Sequence, residues 1–216
     1  MSRNVLCRCA FVAVLLLALA VPAAARDQTD HGTHGAAAPA AEGGFQSDAA
    51  ADLERAGKKL VSLAEAIPAE EYGWRPAEGV RSVSEVFVHV ANANSLLPPA
   101  MGVAAPPGID VPQGREAAFA WMGERERSVT AKEDVLAALR SSLDYATAAV
   151  RGLETPALEE EMDLFFPASR RAYVLILLTH NHEHLGQAIA YARSMGVTPP
   201  WSEAGEAPAA EGEGGN

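Results

Sequence analysis

Four long stretches of this chain carry apolar residues at helical spacing, each opened by Ser or Thr and closed by Pro or Gly. Ser47 can cap a helix that runs to about Ala66 and stops at Pro68. Ser82 and Glu85 stand at capping-box spacing ahead of Val86, Phe87 and Val90, and predict a second helix that fades at Pro98-Pro99. Thr130 and Glu133 repeat the box and open a third helix through Leu136, Leu139, Leu143 and Val150 to Gly152. The fourth runs from about Ser169 to Met195, with Gly196 as its stop and Pro199-Pro200 beyond. A long Pro- and Gly-rich connection, 102 to 114, and a short helix near Glu116 to Glu126 lie between the second and third. No segment sustains the alternation of a hairpin strand. The pattern predicts an all-α four-helix bundle.

The bundle needs only part of the chain. Residues 1–10 carry Arg3 and Arg8 and no acid, an apolar run follows from Ala10 to Val21, and Pro22-Ala23-Ala24-Ala25 ends it. These are the three parts of a cleavable signal peptide, with the cut expected after Ala25. The apolar run is shorter than the ~20 residues that span a bilayer. Cys7 and Cys9 are the only cysteines, so the mature protein would have neither disulfide nor thiolate ligand. Residues 26–44 are small, polar and broken by Gly and Pro, and predict a disordered linker; His31 and His34 could hold a metal there only weakly. Residues 45–202 are the expected bundle, and 203–216 a disordered acidic tail. Formal charge is −11, with Arg3 and Arg8 among the cations that would be lost on cleavage. A surface that acidic disfavours nucleic acid, and cleavage would leave no membrane contact.

The chemistry sits in the histidines. His180 and His184 are four apart on one helix and share a face, while His182 lies about 200° round from His180. Two imidazoles at that spacing are a known way for a helix to offer a metal two nitrogens. His89, mid-helix on a face with Ser82, Glu85, Val86, Ala93 and Leu96, is the remaining candidate for a third. Spacing alone leaves two readings: a three-imidazole metal site with an open coordination position, or separately satisfied core histidines.

Trp74-Arg75-Pro76, Gly79, Arg81-Ser82-Val83 and Val88-His89-Val90 resemble the opening of DinB-like proteins. The run from His180 to Gln187, then Tyr191-Ala192-Arg193, Gly196 and Pro199-Pro200, is similar to the last helix of that family. The resemblance implies a four-helix bundle holding a divalent metal through one histidine of the second helix and two of the last, here His89, His180 and His184. Zinc or nickel is the ion expected. It also implies a small-molecule substrate, either through thiol transfer or through hydrolysis, and a possible homodimer. Export favours the hydrolase, because low-molecular-weight thiol cofactors belong to a reducing cytosol. A non-catalytic metal- or ligand-binding bundle is the alternative.

Other residues take simpler expectations. His182 falls on a second apolar stripe with Leu175, Leu178, Leu185 and Ile189, and is read as a packing or interface residue. Glu85 is read first as the cap, and second as an orienting partner of His89 or a general base for metal-bound water. Glu183 should face solvent, and Trp74 should plug the core. Arg170 and Arg171 open a helix at its unfavourable end, which hints at an acidic partner or a substrate carboxylate, unless acidic surface elsewhere in the chain pairs with them.

Overall fold

The structure, a computed structural model, describes residues 44–105, 110–112, 114–163 and 166–203. The expected signal peptide, most of the linker, with His31 and His34, and nearly all of the acidic tail lie outside the described residues. The long helices are α1 (Phe45–Ala66), α2 (Val83–Ala100), α4 (Lys132–Arg151) and α5 (Arg170–Ser194). Between α2 and α4 lies α3 (Arg115–Ser128), and α6 (Pro200–Glu203) is a single turn after α5. In the bundle α4 packs on α1 and α2, and α5 packs on the same two helices from the other side. Each long helix therefore has two neighbours, and α3 rides outside on α2. Among the described residues no helix is long and apolar enough to cross a membrane.

Helical periodicity accounts for the core. Leu53, Leu60 and Leu63 of α1 meet Val135, Leu139 and Val150 of α4, and Val86, Val90 and Leu97 of α2 meet Val174, Leu177 and Ala188 of α5. Most of these side chains are wholly buried, worth about 1.5–3 kcal/mol each for the larger ones. Gly57 lets α1 and α4 approach closely, since a Cβ there would stand 3.1 Å from Leu143. Across the other interface Asn94 and Asn181 exchange amide hydrogen bonds of 2.8 and 3.3 Å while fully buried, and the Asn181 amide also donates to the Leu177 carbonyl.

Two expected caps are replaced by tertiary contacts. Helix α1 starts at Phe45 without a side-chain cap, so Ser47 does not serve as one. Its first turn is instead fastened by Gln46, whose amide donates to the Leu153 carbonyl (3.0 Å) and the Thr155 hydroxyl (3.1 Å). Helix α4 begins at Lys132 behind Ala131, and the Thr130–Glu133 box does not form. The Lys132 ammonium donates to the Glu65 and Ile67 carbonyls at 2.7 Å each, covering the end of α1. The Ser82–Glu85 box does form: the Ser82 amide donates to the Glu85 carboxylate (2.6 Å), and the Glu85 amide to the Ser82 hydroxyl (3.3 Å). Gly196 follows α5 with φ +79°, the left-handed stop that its position predicted.

An unexpected element precedes α5. Strands β1 (Glu161–Asp163) and β2 (Pro167–Ser169) form a short antiparallel hairpin, too brief and irregular to alternate visibly in sequence. The Tyr173 hydroxyl donates to the Phe166 carbonyl (2.6 Å) and ties the hairpin to the first turn of α5. Arg170 and Arg171 bond Glu160 and Glu159 at 3.0 and 2.5–2.9 Å, so cations at the unfavourable end of α5 are offset within the chain. Their expected acidic partner is this acidic segment.

Replacing Ser82 by Ala should lower stability by about 1 kcal/mol in chemical denaturation. Thr130→Ala should stay within about 0.5 kcal/mol of the parent, because its hydroxyl caps nothing.

Candidate metal centre

Helices α2 and α5 bring together the three histidines singled out in the sequence. One ring nitrogen from each of His89, His180 and His184 lies within 4.8 Å of those of the other two. The ring centroids are 4.4 Å apart for His180 and His184, 4.7 Å for His89 and His184, and 4.9 Å for His89 and His180. The spacing of four on α5 stacks one pair, and the packing of α2 against α5 delivers the third.

Hydrogen bonds on the outer side assign the protons. Glu126 of α3 accepts from His89 Nδ1 at 2.7 Å and from Arg81 Nε at 2.9 Å. Burial pushes the Glu126 carboxyl up, but the bonds from His89 and Arg81 outweigh it and hold the group below its ordinary range. An ionised Glu126 only accepts, so His89 carries a proton on Nδ1 and turns Nε2 toward the other two rings. His184 Nδ1 lies 2.8 Å from the Gln187 carbonyl oxygen, which likewise accepts and leaves His184 Nε2 bare. Gln187 in turn donates to the Tyr191 hydroxyl (3.0 Å), which donates to the Arg81 backbone carbonyl (3.2 Å). These bonds form an open chain from His184 through Gln187, Tyr191 and Arg81 to Glu126 and His89.

His180 has no such partner. Its Nε2 is 3.1 Å from His89 Nε2, and its buried Nδ1 meets no hydrogen-bond partner among the described residues. Desolvation, then the neighbouring charges of His184, His89 and Arg81, push its pKa down to about 3. Burial also holds His184 below the ordinary imidazole range. Both histidines of α5 are thus held toward the neutral form that ligates, and three imidazoles are a donor set suited to a divalent cation. The three histidines could hold a metal ion on this geometry.

The remaining candidates separate clearly. Glu85 is the cap, with Arg75 3.3 Å from its carboxylate, and does not orient His89. That role belongs to Glu126, which the sequence reading missed. The signal was faint: Glu126 continues the apolar stripe of Ala118 and Met122 on α3. His182 is half-exposed and bonds Asp52 of α1 through Nε2 at 2.7 Å, outside the cluster and against an acid rather than an apolar interface. Of its expected stripe, Leu185 is buried, Leu178 and Ile189 flank the core, and Leu175 stays 47% exposed. Glu183 is exposed as expected, and half-buried Trp74 stacks edge-on to Tyr191 at 5.3 Å.

Glu126→Gln should weaken zinc binding by about 10- to 100-fold in a chelator competition, the usual effect of losing an orienting carboxylate. Glu85→Gln, which affects the cap, should keep the parent affinity. A second outcome concerns pH in the metal-free protein. The folded pKa of His180 is depressed, so the unfolded chain binds more protons between about pH 6.5 and 3. Stability should fall as pH drops through this window, with a slope approaching about 1.4 kcal/mol per pH unit for one proton. His180→Gln should flatten that slope in pH-dependent denaturation.

Residues 52–188 match the DinB superfamily. The fold is similar to a DinB-like protein of Bacillus subtilis, at 22% identity and a TM-score of 0.54, covering 70% of this chain and 94% of the other. It is also similar to a DinB-like protein of Bacillus cereus, at 17% identity and a TM-score of 0.53, over 69% and 93% of the two chains. A conserved protein of Enterococcus faecalis gives 17% identity and a TM-score of 0.54, over 69% and 95%. Among curated proteins none matches at comparable strength. The matched segment runs from α1 into α5 and takes in all three histidines; the chain belongs to the DinB superfamily.

Proposed function

We propose that this is an exported metalloprotein in which His89, His180 and His184 hold one divalent ion, zinc or nickel, and act on a small molecule as a hydrolase or transferase. The observation that carries the reading is the convergence of three imidazoles whose outer nitrogens, in His89 and His184, are already occupied by Glu126 and Gln187. That arrangement leaves lone pairs facing inward, and an ion there would supply Lewis acidity toward a carbonyl, phosphoryl or thiol group.

The chain's own residues do the rest. Glu126 and Gln187 keep two rings in one tautomer and orientation, and the reciprocal Asn94–Asn181 bonds keep α2 and α5 in register beneath them. The apolar core around Tyr173 and Leu177 limits water on the inner side. Three protein donors leave room for substrate, whereas a sequestering site is commonly closed by a fourth. Among the described residues no fourth His, Cys, Asp or Glu joins the cluster, which favours the enzyme over storage. Export rests on residues 1–25, with cleavage after Ala25, and the half-exposed face of α5 is the place for a homodimer contact. The domain boundaries, 45–202 for the bundle with tails on either side, belong to the same proposal.

Purified without tag or chelator, the protein should carry close to one metal per chain by elemental analysis. His89→Ala and His180→Ala should each lose it while keeping the helical circular dichroism of the parent. Metal retained in both variants would remove these histidines from the site.

A further inference from the structure

We propose that Arg81 and the three-histidine centre together form a binding site for a small oxyanion, the carboxylate or phosphate group of the substrate. The inference rests on the metal reading above and adds the substrate's charge and the side chain that holds it.

Arg81 lies just ahead of α2 and is fixed at two points. Its Nε donates to Glu126 at 2.9 Å, and its backbone carbonyl accepts from the Tyr191 hydroxyl at 3.2 Å. The other oxygen of Glu126 is 2.7 Å from His89 Nδ1, so a single carboxylate separates the guanidinium from the histidine cluster.

The terminal nitrogens of Arg81 are unspent. Neither Nη1 nor Nη2 bonds any group among the described residues, and the side chain is 41% exposed. Arg75, by contrast, has Nη1 on the Val80 carbonyl at 2.8 Å and Nη2 beside Glu85 at 3.3 Å. Nor does Glu85 compete for Arg81: it is held by the Ser82 amide and Arg75. A guanidinium fixed through Nε and open at both Nη atoms offers the planar fork that matches two oxygens of one oxyanion.

Charge selects the same ligand. Neutral imidazoles, one divalent ion, Arg81 and Glu126 leave the centre positive. The chain as a whole carries −11. Long-range repulsion then disfavours polyanions, and the local field favours a small ligand with one anionic group.

The test uses the full chain loaded with cobalt, whose visible absorption responds to added ligands. Acetate and inorganic phosphate are titrated into the parent, Arg81→Gln and Arg81→Lys, with imidazole as a neutral ligand and metal content measured in each. Cobalt is added to saturation and anion affinity is compared per bound ion: both anions should bind about tenfold or more weaker to R81Q and to an intermediate degree to R81K. Imidazole should bind the three alike. Acetate preferred over phosphate, or the reverse, identifies which oxyanion the fork accepts. Equal anion affinity in parent and variants, with cobalt retained, overturns the inference and leaves the metal reading standing. So does a parent spectrum that responds to neither anion. A parent chain that takes up no cobalt overturns the metal reading, and this inference with it, and the metal content distinguishes that failure from the others.

Discussion

The contact between α2 and α5 decides the rest of the molecule's chemistry. His89 lies on one helix and His180 and His184 on the other, so a slip of one turn between them would separate the cluster. Apolar packing alone resists such a slip weakly, because leucines and valines one turn apart offer similar surfaces. The Asn94–Asn181 pair supplies the specificity. Both amides are fully buried, and across the interface each bonds the other in this register. Breaking the pair leaves polar groups unsatisfied in the core, which costs about 1–3 kcal/mol per group. Asn181 is the neighbour of His180, so the constraint acts within a residue of the site.

Helix α3 has a place in this scheme that its small apolar contact would not suggest. It touches the bundle through Leu96, Ala118 and Met122, and is anchored by Arg125 on Asn92 and by Glu126 on His89 and Arg81. The last of these contacts connects the outer helix to the tautomer of His89. Arg81 is reached from the other side by His184, through Gln187 and Tyr191, so the segment ahead of α2, α3 and α5 all orient the same cluster. His180 joins only through Nε2, on His89, and its buried Nδ1 has no partner among the described residues. It is the ring with the most to gain from a cation.

Local signals were readable where neighbours did not intervene. The Ser82–Glu85 box and the Gly196 stop are short-range devices, and both formed as their spacing predicts. Ser47 and Thr130 present the same kind of signal and cap nothing. In each case a side chain near the helix start reaches another element instead: Gln46 to the segment after α4, and Lys132 to the end of α1. A capping bond is worth about 1 kcal/mol, so one tertiary contact of similar strength shifts where a helix begins. His182 shows the same override, since its apolar stripe predicted packing and Asp52 on the facing helix claimed it.

What the sequence determined by itself was the helical class, the limits of the long helices to within a few residues, and the pair His180–His184. Those follow from periodicity and from the spacing of residues along one helix, which need no knowledge of partners. His89 as the third member could be named from its family resemblance, but its approach to the pair came from the packing of α2 on α5. Glu126, Arg81 and Tyr191 acquired their roles only in three dimensions. They lie on elements separated by loops, and no periodicity within a helix specifies which face meets which across a bundle. Partner choice between helices is a property of the packed core, and so the geometry and charge of the centre were settled by tertiary structure.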